Sequence, residues 1–218
     1  MGGKRIGLAR TQALIENLKR ELSMSGSTLK GAKFRGDLSV EMQDLSGDGL
    51  QSGSIAKPRT MIQDFGHEVV TTYQIDLQNL SGSSTAGTCI GKHNATTGSD
   101  SYAYMFQWDT STNGLCYKID LNCIEAPVGG AANAAFVLSS STYGIYEHGD
   151  VPAADPTGIV DFDTNISGNQ VISMKTLDNS PPNDEYLYLT CRTGTAAASA
   201  GQYTAGKLVF KFYSYKSF

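Results

Sequence analysis

The chain has 218 residues and a mass of 23.3 kDa, enough for one large domain or two small ones whose core needs neither disulfide nor metal staples. Glycine, serine, threonine and asparagine make up about a third of it while charged residues are 17%, a mixture that favours short strands joined by many turns over a helical bundle or a disordered tail. The net charge of −4 is uneven: residues 1–35 hold eight Lys/Arg against two acids, so residues 36–218 carry −10.

The opening Met1-Gly2-Gly3-Lys4-Arg5 has no continuous apolar run before Arg10 and does not read as a secretory signal. Ile6 stands where an N-myristoylation motif needs Ser or Thr. The expectation is a soluble protein made in a cytoplasm. Over residues 4–22, Leu8, Thr11, Ile15, Leu18 and Leu22 recur at steps of three and four with Leu14 beside them, which predicts an amphipathic helix. So short a helix is marginal alone. Its stripe therefore docks either on its own domain or on a neighbouring subunit, and Leu8, Leu14, Ile15, Leu18 and Leu22 are the candidate partner-binding residues. The basic charge raises nucleic acid as a minor option, because short basic helices are mostly solvated faces. Ser23 to Gly36 reads as a connector, giving an arm over 1–36 and a second domain over 37–218.

From Asp37 onward the period becomes two. A strand is expected over Leu38 to Leu45, and Val69, Thr71, Tyr73, Ile75 and Leu77 alternate with polar neighbours until Asn79-Leu80-Ser81-Gly82 stops the run. Tyr102, Tyr104, Phe106 and Trp108 line one face of the next strand, and Asn113-Gly114 predicts a hairpin turn into Leu115, Tyr117, Ile119 and Leu121. Further strands fit Ala134 to Tyr146, Gly158 to Asp163, Gln170 to Leu177, Glu185 to Arg192 and Lys207 to Tyr215. The uncharged run Ala126 to Tyr146 is too polar for a membrane span. Together these predict a mainly β protein, an antiparallel β-sandwich of jelly-roll type with an N-terminal helix.

Candidate sites are sparse. Cys89, Cys116, Cys123 and Cys191 are expected as buried free thiols, with Cys116 and Cys123 the first candidates should a pair form. Cys89 and His93 lie four apart but no second ligand pair follows, and His67 and His148 stand alone, so no metal or other cofactor is predicted. Asp161, Asp163 and Asn165 imitate the start of a calcium loop, yet Ile166 occupies the position needing glycine, and the alternation with Val160, Phe162 and Thr164 favours a half-buried strand. Glu147-His148-Gly149-Asp150 reads as a polar turn, and no nucleophile elbow or phosphate loop is present. No residue is assigned a catalytic role. Tyr102, Tyr104, Trp108 and Tyr117 would stack on sugars or bases if their face were exposed, although alternation more often marks a core face.

The segment Gly3 to Leu22, GKRIGLARTQALIENLKREL, and the closing Gly201 to Tyr215, with GQYTAGKLVFKFY, resemble virion structural proteins of marine cyanobacterial tailed phages. The resemblance implies a particle component without enzymatic activity, assembled in the host cytoplasm and located in the virion. The expected function is a capsid-associated decoration or cement protein, a homo-oligomer whose partners are other virion proteins, the major capsid protein first. The alternative is a tail or fibre-base adhesion module that binds host-surface glycans.

Overall fold

The computed structural model describes residues 42–45, 48–54, 56–83, 85, 87–93, 101–129, 136–152, 157–162, 170–175, 177, 179–191 and 201–216. The chain divides between Ser39 and Val40, and all described residues lie in the second unit. In chain order they form β1 (Gln43–Asp44), a 3-10 turn (Gly49–Ser54), β2 (Arg59–Asp64), β3 (Glu68–Asp76), β4 (Ser81–Gly82), β5 (Tyr104–Gln107), the short helix α1 (Thr110–Asn113), β6 (Leu115–Gly129), β7 (Phe136–Ser141), β8 (Thr157–Phe162), β9 (Gln170–Lys175), β10 (Tyr186–Cys191) and β11 (Gly201–Tyr215). The predicted arm, the helix within it and residues 38–41 of the first expected strand lie outside the described residues.

The strands assemble into two antiparallel sheets. The larger runs β1-β2-β3-β11-β6-β9 with β4 against β11, and the smaller runs β5-β10-β7-β8. Alternation decides the inner faces: Val69, Thr71, Tyr73 and Ile75 of β3 are buried, and β11 sets Leu208, Phe210 and Phe212 opposite Ile75, Tyr73 and Thr71. Tyr73, Ile75, Leu208, Phe210 and Phe212 share one core with Met105, Leu138, Val160, Phe162, Leu187 and Leu189 of the smaller sheet. Phe212 packs at 5.7 Å from Phe106 and 5.3 Å from Trp108, and Phe210 at 5.9 Å from Phe162, so aromatic rings close the gap between sheets. Each large side chain so buried contributes about 1.5–3 kcal/mol. The result is a β-sandwich.

The Asn113-Gly114 segment is not a hairpin. It ends α1, which carries the chain from β5 in the smaller sheet to β6 in the larger one. Asp109 caps this turn, accepting the Ser111 N–H at 2.8 Å, while the Asn113 side-chain amide donates to Thr71 Oγ1 at 3.0 Å. Only Gly114 takes the left-handed conformation, at φ 77°, and a Cβ there would stand 2.6 Å from the Tyr215 carbonyl oxygen. Buried Trp108 donates its indole N–H to the Gly114 carbonyl at 3.1 Å. Tertiary hydrogen bonds thus overrode a strong local turn signal. Similarly, the strand expected over Ala134 to Tyr146 ends as β7 at Ser141, and β2, which lacks clean alternation, was missed.

Candidate interaction surfaces

Two β-bulges aim tyrosines at solvent. Along β10, Tyr188 pairs with Tyr104 but Tyr186 pairs with Gln107, so β5 carries an extra residue. The slip changes which face follows it: Phe106 and Trp108 pack on Phe212 in the core, whereas Tyr102 and Tyr104 lie with Tyr186 and Tyr188 outside the smaller sheet. The sequence placed Tyr102, Tyr104, Phe106 and Trp108 on one face; the bulge divides them.

Outside the smaller sheet, Tyr104 meets Tyr186 edge-on at 4.9 Å and Tyr102 lies at 6.4 Å with its ring tilted only 23°. Tyr146 packs on Tyr188 at 5.8 Å, and Tyr188 donates its hydroxyl to the Tyr143 carbonyl at 2.6 Å. Burial pushes the Tyr188 phenol above its ordinary range. Tyr104 is also shifted upward, by partial burial and then by the nearby charge of Asp48. Gly49, at φ 88°, lies under Tyr104, where a Cβ would come 2.7 Å from the ring. The following loop exposes Tyr143, Ile145 and Val151, with Ile145 59% accessible. His93 and His148, separate in sequence, have rings 4.8 Å apart beside this loop. The polar turn at Glu147 to Asp150 forms as expected, with Asp150 N–H donating to the Glu147 carbonyl.

The second bulge lies between β6 and β11, where Tyr213 pairs with Lys118 and Ser214 with Cys116, leaving Tyr117 as the extra residue. Tyr117 therefore stacks on Tyr215 at 4.5 Å and donates its hydroxyl to Glu68. That bond to a carboxylate, with some burial, lifts the Tyr117 phenol to about 12. Leu115 and Phe65 are exposed beside them, Phe65 at 64%, and the Lys216–Asp64 ion pair and Lys118, 4.4 Å over the Tyr213 ring, supply a polar margin. Exposed apolar patches with polar rims are typical of contact surfaces.

The predicted contact stripe, Leu8, Leu14, Ile15, Leu18 and Leu22, lies outside the described residues, as do Asp163 and Asn165. Val160 and Phe162 are buried in β8, and no group of three metal-ligating side chains occurs among the described residues. All four cysteines are buried free thiols. Cys116 and Cys123 are no candidate pair: both sit on β6, opposite Ser214 and Leu208, a separation along one strand of about 20 Å or more. No helix among the described residues is long and apolar enough to cross a membrane. Sequence reasoning missed the tyrosines at 143, 146, 186 and 188, although Tyr186-Leu187-Tyr188 repeats the spacing of Tyr102-Ala103-Tyr104.

Comparison with known protein families, curated protein sequences and solved structures gives no match to this chain.

Proposed function

We propose that this chain is a non-enzymatic virion structural protein, a capsid-associated decoration or cement protein that bridges neighbouring shell subunits and repeats as a homo-oligomer around the particle. The observation that carries this reading is the pair of exposed apolar patches on different sheets, one around Phe65, Leu115, Tyr117 and Tyr215 and one around Tyr102, Tyr143, Ile145 and Val151. A bridging protein needs two contact surfaces, and modest contacts repeated over a lattice add through linkage. The strand order supports the jelly-roll assignment. Counting β3, β5, β6, β7, β8, β9, β10 and β11 in chain order, the sheets run 1-8-3-6 and 2-7-4-5, as two interleaved Greek keys do. Jelly rolls serve viral shells and lectins alike. The resemblance of residues 3–22 and 201–215 to virion proteins supplies the context, with the basic arm as attachment segment to the major capsid protein.

Deleting residues 1–35 is expected to leave the sandwich folded and to abolish incorporation into particles. Leu115→Asp with Tyr215→Asp in the full chain is expected to do the same, and particles lacking the protein should release their genome at lower temperature. Normal incorporation of both variants overturns the proposal. Unchanged particle stability with lost host adsorption promotes the second reading, a glycan-binding adhesion module, which the near-parallel Tyr102 and Tyr104 rings favour.

A further inference from the structure

The sequence contains one Asn-Gly pair, Asn113-Gly114, and once its hairpin signal is overridden a second property of that pair is left, its chemical lability. Asparagine is a thermolabile residue, most so before glycine, where no side chain shields the next backbone nitrogen. That nitrogen, once deprotonated, attacks the asparagine Cγ. A C–N bond forms, the Cγ–Nδ2 bond breaks and ammonia leaves, giving a cyclic imide. Water then opens either imide C–N bond, yielding aspartate or isoaspartate, the latter with its backbone rerouted through the side chain.

The fold blocks each requirement of the first step. The attacking nitrogen is engaged, because Gly114 N–H donates to the Thr110 carbonyl at 3.0 Å. The electrophile is held as well: Asn113 Nδ2 donates to Thr71 Oγ1 at 3.0 Å, while Oδ1 reaches back along α1 to accept the Asp109 N–H at 3.2 Å. Asn113 is only 5% exposed, which keeps base and water away. Yet the fold requires both labile residues. A Cβ at position 114 would meet the Tyr215 carbonyl oxygen at 2.6 Å with φ at 77°, which demands glycine. The two side-chain bonds of Asn113, one donated and one accepted, match an amide, which carries both a donor and an acceptor.

We infer that Asn113 is a deamidation site that the native α1 turn keeps closed, and that its isoaspartyl product cannot re-enter the fold. Isoaspartate adds a methylene to the backbone between α1 and β6. That displaces both the Gly114 N–H bonded to Thr110 and the Gly114 carbonyl that accepts the Trp108 indole at 3.1 Å. Chains that stay folded keep the amide; chains that open are marked irreversibly. The inference does not depend on the shell-bridging reading.

Incubating the full chain in mildly alkaline buffer, with and without denaturing guanidinium chloride, tests it. Peptide mapping by mass spectrometry follows the amide-to-acid mass gain at residue 113, with isoaspartate separated from aspartate by chromatography. Conversion in native buffer should be slower than in denaturant by about tenfold or more. Thr71→Val removes the acceptor at nearly constant shape and should speed native conversion about fivefold. Ile75→Val, a core substitution of comparable cost, should leave the native rate unchanged, because α1 opens locally. When denaturant is diluted, the refolded fraction should be depleted of isoaspartyl chains. Equal conversion in native buffer and denaturant, equal acceleration by the two variants, or full recovery of isoaspartyl chains in the refolded fraction overturns the inference. Particle incorporation is untouched by any of these results.

Discussion

The interior between the sheets and the aromatic surface outside the smaller sheet are drawn from the same alternating strands, yet they differ in chemistry. In β10, Leu187 and Leu189 face the interior while Tyr186 and Tyr188 face outward. Inside, Phe162, Phe210, Phe212 and Trp108 close the core; outside, the rings are tyrosines whose hydroxyls reach carbonyls or solvent. A hydroxyl is costly to bury without a partner, so phenylalanines fill the interior face of β11, and the one tyrosine that β3 sends inside, Tyr73, aims its hydroxyl at the Met105 carbonyl. Both clusters contain fully buried rings, but only the interior one joins the two sheets.

The sharpest way to break that contrast is at the centre. Phe212→Ala should cost about 3–5 kcal/mol, since its ring spans both sheets, whereas Tyr102→Ala at the exposed edge should stay within about 0.5 kcal/mol; urea denaturation of both variants measures the gap. Comparable losses would show that the outer tyrosines are as structural as the core. Next, Tyr188→Phe removes the hydroxyl bond to the Tyr143 carbonyl and should cost about 1 kcal/mol. Faster hydrogen exchange in the 142–151 loop with an undisturbed core is the expected signature.

Alkali separates the regions by titration. Burial pushes the Cys116 thiol from its ordinary 9.0 up to about 11, and raises Cys89 and Cys191 as well. Because folding favours the protonated thiol, the contribution is whole below pH 9.0 and is lost as pH rises toward about 11, so the melting temperature should be level to pH 9.0 and then fall. At pH 8 the native thiols should resist alkylation, while denatured protein yields four per chain. Rapid native labelling would show that the strands carrying them open. The smallest effect is expected at the stacked surface pair: Tyr117→Phe removes the bond to Glu68, returns no measurable change in stability, and abolishes the high phenol titration near 12 seen by ultraviolet difference spectra.

Strands with regular alternation could be read directly. Val69 to Leu77, Gln170 to Leu177, Glu185 to Arg192 and Lys207 to Tyr215 declared themselves because one face of each alternates in polarity or is continuously apolar, and their elements form at those places. The surfaces were harder to read because a bulge leaves no signature in composition. One additional residue in β5 sends Phe106 inward after Tyr104 has faced outward, and one in β6 turns Tyr117 onto Tyr215.

By itself, then, the sequence determined the mainly β class, the burial of the four thiols and the period-two faces of strands without a bulge, such as β3, since each follows from local periodicity or from the apolar character of a side chain. Tertiary structure decided the rest. Asn113-Gly114 carries a hairpin signal, but the energetic alternative, with Trp108 bonded to Gly114 and Asn113 to Thr71, exists only once β3 lies beside the turn. The pairing of Asp76 in β3 with Lys207 in β11 likewise joins residues more than half the chain apart. No local pattern encodes such a meeting, because its physical cause is the register between distant strands.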